Sequence, residues 1–477
     1  MIDRREIMDF SREFGLNANV IEKDYVIGWV LAGIANHPEL GASWVFKGGT
    51  CLKKCYFETY RFSEDLDFTL TNPDNLNKEF LVNAFNEIAG WVYETTGIEI
   101  PVDTIRFDVY QNPRGGISAQ EQIGYRGPMR RRGDPARIKL DLTSDEVLVL
   151  DPSVQEVHHP YSDSPDDGIQ IQCYRFEEVF AEKIRALAER ERPRDLYDVV
   201  HLYRHDGLRP DRALVLSTLQ EKCVFKGIAL PTMESLEGRP ERAELETEWE
   251  NMLAHQLPAL PPFEQFWQDL PALFEWLHSA VEKGERPTIP LMGRAIDETW
   301  RPPVMAQAWH TSTPLEIIRF AAANHLCVDL AYRGSHRLIE PYSLRRTLDG
   351  NLLLFAIRHH TNEPRSYRVA RIQGAEPTKE PFIPKYIVEL TPSGPISAPP
   401  ITRRSDGYTV SRPGISKATR GRSRSRISDF GPTYVIECPN CGKRFNHKTN
   451  KTRLNPHKDK YGYPCASRSG YLAGVKY

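Results

Sequence analysis

Apolar residues recur at helical spacing through residues 1–40, at Phe14, Ile21, Tyr25, Val26, Trp29, Val30 and Ile34. Residues 78–93 repeat the pattern with Phe80, Leu81, Phe85, Ile88, Ala89, Trp91 and Val92. Both stretches predict amphipathic helices. Between them the period changes. Trp44-Val45-Phe46 reads as a strand, and Leu66, Phe68 and Leu70 alternate with Asp65, Asp67 and Thr69. Two later runs also alternate, Ile105–Tyr110 and Arg137–Leu142. In the second, Ile138, Leu140 and Leu142 face one way and Arg137, Lys139 and Asp141 the other. Tyr174–Arg204 returns to helix, with Val179, Ala181, Ile184, Leu187 and Ala188 as its stripe and a break at Pro193. Phe263–Val281 predicts a further helix with a broad apolar face, and residues 206–310 otherwise read weakly. From Thr313 a second region begins. Leu315–Ala323 predicts a helix, and Cys327–Tyr332, Arg337–Tyr342, Leu352–Arg358 and Ser366–Ile372 predict short strands, with Asp349-Gly350 as a hairpin turn.

The pattern sharpens at Phe46–Phe68, FKGGTCLKKCYFETYRFSEDLDF. Gly48-Gly49-Thr50 follows one strand, a short amphipathic segment carries Lys53 and Lys54, and Arg61-Phe62-Ser63 leads into the Asp65-Leu66-Asp67 strand. Strand alternation puts both aspartates on one face, their backbones roughly 6.5–7 Å apart. Such a pair can converge on Mg²⁺, which takes oxygen ligands and shares its shell with substrate phosphates. A glycine turn lets backbone N–H groups approach a phosphate, and a helix start after it favours the anion. Each feature alone is commonly structural. In this order, joined by a basic segment, they read as chemistry on a nucleoside triphosphate. The Walker pattern GxxxxGK[ST] is absent.

At 477 residues the chain exceeds one core. Its eight cysteines suit a reducing cytoplasm rather than a disulfide framework. No 18-residue apolar run predicts a membrane span and no signal peptide is expected, so a cytoplasmic location is expected. The net charge of −2 hides an asymmetry, because residues 401–477 hold 17 Lys+Arg against 4 Asp+Glu. An acidic body with a basic tail points to an acidic partner, nucleic acid first, RNA or DNA. The bland reading is a solubilising tail. Residues 394–432, rich in Ser, Pro, Gly and Arg, read as a disordered linker. Beyond it, Cys438-Pro439-Asn440-Cys441-Gly442 opens a zinc-finger pattern that His457 and Cys465 complete as a Cys₃His set, with His447 as rival fourth ligand. Thiolates and imidazole suit Zn²⁺, and so short a module needs a staple to fold.

KGGT followed by RFSEDLDF resembles the first motif of the AbiEii/AbiGii toxin nucleotidyltransferases, with Ile21-Glu22-Lys23-Asp24-Tyr25 before it and Arg194-Asp195-Leu196-Tyr197-Asp198 after it. The resemblance implies an α+β fold with a polymerase-β-like nucleotidyltransferase core and a helical half. It implies Mg²⁺ on Asp65 and Asp67, with Asp141 as a third carboxylate that accepts the proton of the attacking hydroxyl. Asp195, or Asp198, would also serve the active centre. Gly48, Gly49, Thr50, Lys53, Ser63, Lys139 and Lys183 would bind phosphates. Residues from Thr313 resemble a WYL domain, an SH3-like β-barrel, with Leu352-Leu353-Leu354 where that family carries its name motif. Its candidate groove arginines are Arg337, Arg345, Arg358 and Arg368. The expected domains are 1–285, a linker at 286–312, 313–393, a basic linker at 394–432 and the zinc-finger module at 433–477. The expected activity is transfer of NMP from NTP to RNA, first to tRNA 3′ ends, by the toxin of a toxin–antitoxin or phage-defence pair with a cognate antitoxin. The alternatives are NMP transfer to a protein hydroxyl and a non-catalytic nucleic-acid-binding regulator.

Overall fold

A computed structural model describes residues 1–57, 61–112, 115–130, 133–205, 210–237, 241–281, 284, 286–291, 296–297 and 315–390. In the C-terminal segment it describes 433–441, 443–447, 452, 454, 465 and 469–476. The chain divides into two compact units, Met1–Arg404 and Ser405–Tyr477.

The first unit is built on a seven-stranded mixed sheet. Its strands are β1 (Trp44–Lys47), β2 (Asp65–Leu70), β3 (Asp108–Gln111), β4 (Ile117–Tyr125), β5 (Ala136–Thr143), β6 (Ser153–Glu156) and β7 (Gln170–Cys173), in the order β3-β4-β5-β2-β1-β7-β6. β2 runs parallel to β5 and β1 parallel to β7, and the other pairs are antiparallel. Every residue of β1 is buried, which suits a strand at the centre of the sheet.

The Ala18–Asn36 helix is buried on nearly every side from Ile21 to Ile34, as expected of a helix that is apolar around much of its circumference. Asn17 caps it by accepting from the Asn19 N–H. Lys78–Thr96 is capped by Asn77 and ends on Gly97 in the left-handed region. The expected strand at Ile105–Tyr110 is shorter, Asp108–Gln111. A 3₁₀ turn at Val102–Thr104 precedes it, and Ile105 and Phe107 are buried before pairing begins. The Tyr174–Arg204 region forms two helices, Phe176–Arg190 and Pro193–Arg204, with Pro193 at the start of the second, where its missing N–H costs nothing.

The second sheet of this unit holds β8 (Leu326–Tyr332), β9 (Ser335–Arg346), β10 (Leu352–Arg358), β11 (Glu363–Arg368) and β12 (Ile372–Pro381), all antiparallel, in the order β11-β10-β9-β8-β12. The resemblance to a WYL domain implies an SH3-like β-barrel here. Instead the ladder ends at β11 and β12, which do not pair among the described residues. The reason lies in the fourth expected strand, Ser366–Ile372. A 3₁₀ turn at Val369–Arg371 divides it and carries the chain from one edge to the other. The Leu315–Ala323 helix packs on this sheet, with Leu315, Ile318 and Phe320 buried.

The second unit contains an antiparallel sheet of β13 (Thr433–Glu437), β14 (Arg444–His447) and β15 (Tyr471–Lys476), ordered β14-β13-β15. The linker expected at 394–432 lies outside the described residues. Among the described residues no helix is long and apolar enough to cross a membrane.

Candidate active site

Strand register builds the site. Asp67 stands opposite Asp141 and Asp65 opposite Lys139 in the parallel β2–β5 ladder, while Lys47 stands opposite Asp67 in the antiparallel β1–β2 ladder. Three carboxylates and a lysine therefore share one face of two adjacent strands. Lys139 Nζ donates to Asp141 Oδ2 at 2.7 Å. Burial, then the nearby Asp141 charge, pushes the Asp67 carboxyl up to about 6. Like charges held together in a partly dry site favour proton retention, and a cation between them would reverse that preference.

The glycine turn is moulded to this face. Gly48 has φ +81°, and a Cβ there would meet Asp67 Oδ2 at 2.3 Å. From Gly48 the backbone winds one α-turn to Cys51 and continues as a π-type turn, Leu52–Tyr56, and no side chain caps its start at Lys47. Thr50 is buried, and its hydroxyl donates to the Asp65 carbonyl, tying turn to strand. A Cβ on Gly49 would meet Arg61 Nη2 at 2.6 Å and Ser63 Oγ at 3.1 Å, so the RFS segment packs directly on the turn.

A polar cavity of about 200 Å³ opens beside Asp67, lined among others by Lys47, Gly48, Glu182, Lys183 and Arg190. Lys183 Nζ lies 2.7 Å from Asp198 and 3.9 Å from Asp195. Arg190 holds Asp195 through two hydrogen bonds of 2.7 and 2.8 Å. Arg61 holds Asp198 in the same way, at 2.7 and 2.9 Å. Burial opposes the Asp198 charge, but Arg61 and Lys183 outweigh it and hold the carboxyl well below the usual range. Burial likewise opposes the Lys47 charge, and Glu182, Glu146 and Asp67 outweigh it, so the ammonium is retained.

Thus Gly48, Asp67 and Lys183 meet at the cavity, with Asp65, Asp141 and Lys139 on the adjoining strand face and Asp195 behind it. Gly49, Thr50 and Ser63 support the turn. Lys53 and Lys54, expected on an amphipathic segment, are buried instead, and neither lines the cavity. Lys53 lies over the Phe62 ring at 4.5 Å. Lys54 donates to Asp24 Oδ2 at 2.7 Å, a pairing that makes its burial tolerable. The Glu22-Lys23-Asp24 segment, assigned no chemistry from the sequence, supports the site at each residue. Glu22 Oε1 accepts from the Met129 N–H at 2.6 Å, Lys23 pairs with Glu64 at 2.8 Å, and Asp24 anchors Lys54.

Sequence reasoning missed Lys47, Arg61, Glu182 and Arg190. The first two stand inside the motif that carries the resemblance. Glu178 and Glu182, four apart on one helix, both meet the buried lysine Lys222, which lies 2.9 and 3.3 Å from them on another helix. Four arginines stand in the Gly- and Pro-bounded stretch 125–133, where they would suit phosphates; Arg126 and Arg130 are described, whereas Arg131 and Arg132 lie outside the described residues. In the second sheet Arg345 pairs with Glu389, Arg368 donates to Asn351 and Arg337 donates to the Tyr332 carbonyl at 2.6 Å. In the second unit, Cys438, Cys441 and Cys465 bring their sulfur atoms within 4.8 Å of one another. His457 lies outside the described residues, and of His447 only the backbone, in β14, is described.

A glycine turn, an Asp-x-Asp strand, a third carboxylate in register and a polar cavity beside them make the site plan of a nucleotidyltransferase. The chain belongs to the AbiEii nucleotidyltransferase toxin family, described as the toxin of a type IV toxin–antitoxin system, whose family profile matches residues 29–275. A WYL domain profile matches residues 314–377. Among solved structures, the MenT4 nucleotidyltransferase toxin of Mycobacterium tuberculosis H37Rv is 16% identical, over 60% of this chain and 91% of that one, with a TM-score of 0.41. Proteasome accessory factor B/C of Arthrobacter aurescens is 14% identical, over 77% of this chain and 74% of that one, with a TM-score of 0.14. No curated protein matches. The chain is therefore an NTP-using nucleotidyltransferase of a toxin family, joined to a WYL domain.

Proposed function

We propose that this nucleotidyltransferase moves a nucleoside monophosphate from NTP to an RNA hydroxyl, tRNA 3′ ends first, with release of pyrophosphate, as the toxin of a defence pair with a cognate antitoxin. The observation that carries the reading is the register that sets Asp65, Asp67 and Asp141 on one strand face beside the glycine turn. These three would hold Mg²⁺, whose chemistry here is charge neutralisation on the phosphates. Gly48, Gly49 and Thr50 would present backbone N–H groups to the triphosphate, and Lys183 and Arg190 its balancing charge. Asp141 is the better placed of the two candidate bases, because both oxygens of Asp195 are engaged by Arg190. Lys139, bound to Asp141, also lines a larger groove of about 830 Å³ in which Arg106, Arg126 and Arg137 alternate with carboxylates such as Glu99, Asp108 and Glu121, an open polar surface on which an acceptor would lie. The basic tail supports the same choice of acceptor. Its module would bind Zn²⁺ through Cys438, Cys441 and Cys465, with His457 as fourth ligand. The working division remains 1–285, 313–393 and 433–477, in a cytoplasmic protein.

The test is transfer of label from each α-labelled NTP to purified tRNA in Mg²⁺, beside the Asp65→Ala/Asp67→Ala variant. Label on tRNA with the native protein alone supports the reading. Label on protein instead, or equal labelling by the variant, overturns it.

A further inference from the structure

A second trio of cysteines lies beneath the glycine turn. Cys51 closes the α-turn that Gly48 opens, Cys55 lies one π-turn on, and Cys173 ends β7 opposite Phe46 of β1. All three are wholly buried, and their sulfur atoms lie within 4.8 Å of one another. Six of the chain's eight cysteines thus fall into two such trios. A buried cysteine commonly packs as a small apolar group. That role does not require three sulfurs from two separate elements to turn toward one point.

Oxygen donors accompany them. Tyr56 Oη lies 3.7 Å from Cys173 Sγ, while its proton is directed to the Tyr174 carbonyl at 2.6 Å. Ser153 Oγ lies 4.0 Å from the same sulfur. Zinc–sulfur bonds of about 2.3 Å would place three ligating sulfurs up to about 4 Å apart, a spacing compatible with sulfur atoms that lie within 4.8 Å of one another. A disulfide would use two of the sulfurs and leave the third over.

We propose that Cys51, Cys55 and Cys173 form a zinc site within the nucleotidyltransferase domain, independent of the C-terminal cysteine module. Its fourth position faces the hydroxyl oxygens of Tyr56 and Ser153. Three thiolates against Zn²⁺ leave one net negative charge in the core, beside the Lys54 ammonium, which adjoins Cys55 along the chain and is itself paired with Asp24. Binding releases the three thiol protons to solvent and involves no electron transfer. Because the site joins the helix start of the glycine turn to β7, the ion would fix the turn against the sheet.

The experiment measures zinc per chain in the full-length protein after gel filtration in EDTA, by mass spectrometry and by colorimetric release with a mercurial. The Cys438→Ser/Cys441→Ser/Cys465→Ser variant leaves the buried trio untouched, so its result does not depend on a refolded core. About one zinc ion per chain is expected to remain in it, and to be lost on further Cys173→Val or Cys51→Ala substitution. Circular dichroism confirms folding of each variant. A zinc-free C-terminal variant overturns the proposal. So does zinc retained after both core substitutions, or a denatured mass showing a Cys51, Cys55 or Cys173 disulfide.

Discussion

Two groups of carboxylates stand near the cavity, and the protein treats them in opposite ways. Asp195 and Asp198 are buried and each is gripped by a guanidinium through two hydrogen bonds, with Lys183 added to Asp198. Asp65, Asp67 and Asp141 crowd one strand face, where Lys139 bonds Asp141 and Asp67 is pushed up to about 6. The first group is neutralised by the fold and tightens it. The second keeps its charges crowded, an arrangement that a folded chain retains where a cation or a proton has work to do. Under the proposed function, the difference would separate carboxylates that build a nucleotide site from carboxylates that act in it.

The strongest way to break this distinction is to exchange one aspartate at a time for asparagine. Asp67→Asn should lower transfer by on the order of a thousandfold, because it would remove a proposed Mg²⁺ ligand at the reacting centre. It should leave the fold as stable as before or more so by about 1–2 kcal/mol, since a crowded charge is relieved. Activity and urea midpoint measured on the same preparation decide it. A variant that loses both would place Asp67 among the structural group.

Asp198→Asn should move the other quantity. Arg61 and Lys183 would lose the buried carboxylate they share, at a cost of about 3–5 kcal/mol. Arg61 packs on Gly49, so the turn should loosen as well, and KM for NTP should rise in whatever fraction remains folded. The reading is a urea midpoint shifted well down, with Asp198→Glu recovering part of it. An unchanged midpoint with lost activity would move Asp198 into the acting group.

The same contrast divides what the sequence reveals from what it hides. Period-2 alternation around Leu66 and Leu140 is enough to put Asp65, Asp67 and Asp141 on polar strand faces, because pleat geometry is local. The parallel register that sets Asp67 opposite Asp141 is not local, and neither is the partner of a buried charge. Arg61 and Asp198 are 137 residues apart, and Lys54 and Asp24 are 30 apart in the reverse order. Nothing in the spacing announces either pair. Lys54 reads as the polar side of an amphipathic segment because its counter-ion lies on another helix. The second sheet shows the same limit, since its strands are legible one by one while closure depends on the turn at Val369–Arg371.

Gly48→Ala sharpens the comparison from the side of the turn. The residue stands at φ +81°, and its new methyl would meet the Asp67 carboxylate at 2.3 Å. Backbone strain of about 1–3 kcal/mol and a displaced carboxylate should reduce transfer roughly ten- to a hundredfold with modest loss of stability. Gly97→Ala, also in the left-handed region but with nothing within 4 Å of its added Cβ, is the control for strain alone. Equal effects from the two would show that the contact with Asp67 is immaterial.

The smallest effect is the dependence of stability on pH, and its sign differs between the groups. Asp67 titrates at about 6 in the fold against an ordinary value of 3.8, so between those limits the native protein holds more protons than the unfolded chain. Its contribution is fully present below about pH 4 and is lost as pH rises through about 6. Asp198 is held below its ordinary 3.8, so its contribution is present above about pH 4 and disappears as pH falls through the lower folded value. Metal-free protein should therefore gain up to about 1–2 kcal/mol from Asp67 between pH 7 and pH 5, and Asp67→Asn should abolish that part of the slope. Saturating Mg²⁺ should flatten it as well, because a bound cation returns Asp67 to its ionised form. Urea midpoints at pH 7 and pH 5, with and without Mg²⁺, give four numbers for each protein. If the native slope survives Asp67→Asn unchanged, the burial of Asp67 beside Asp141 is not what sets it, and the contrast with the paired group fails.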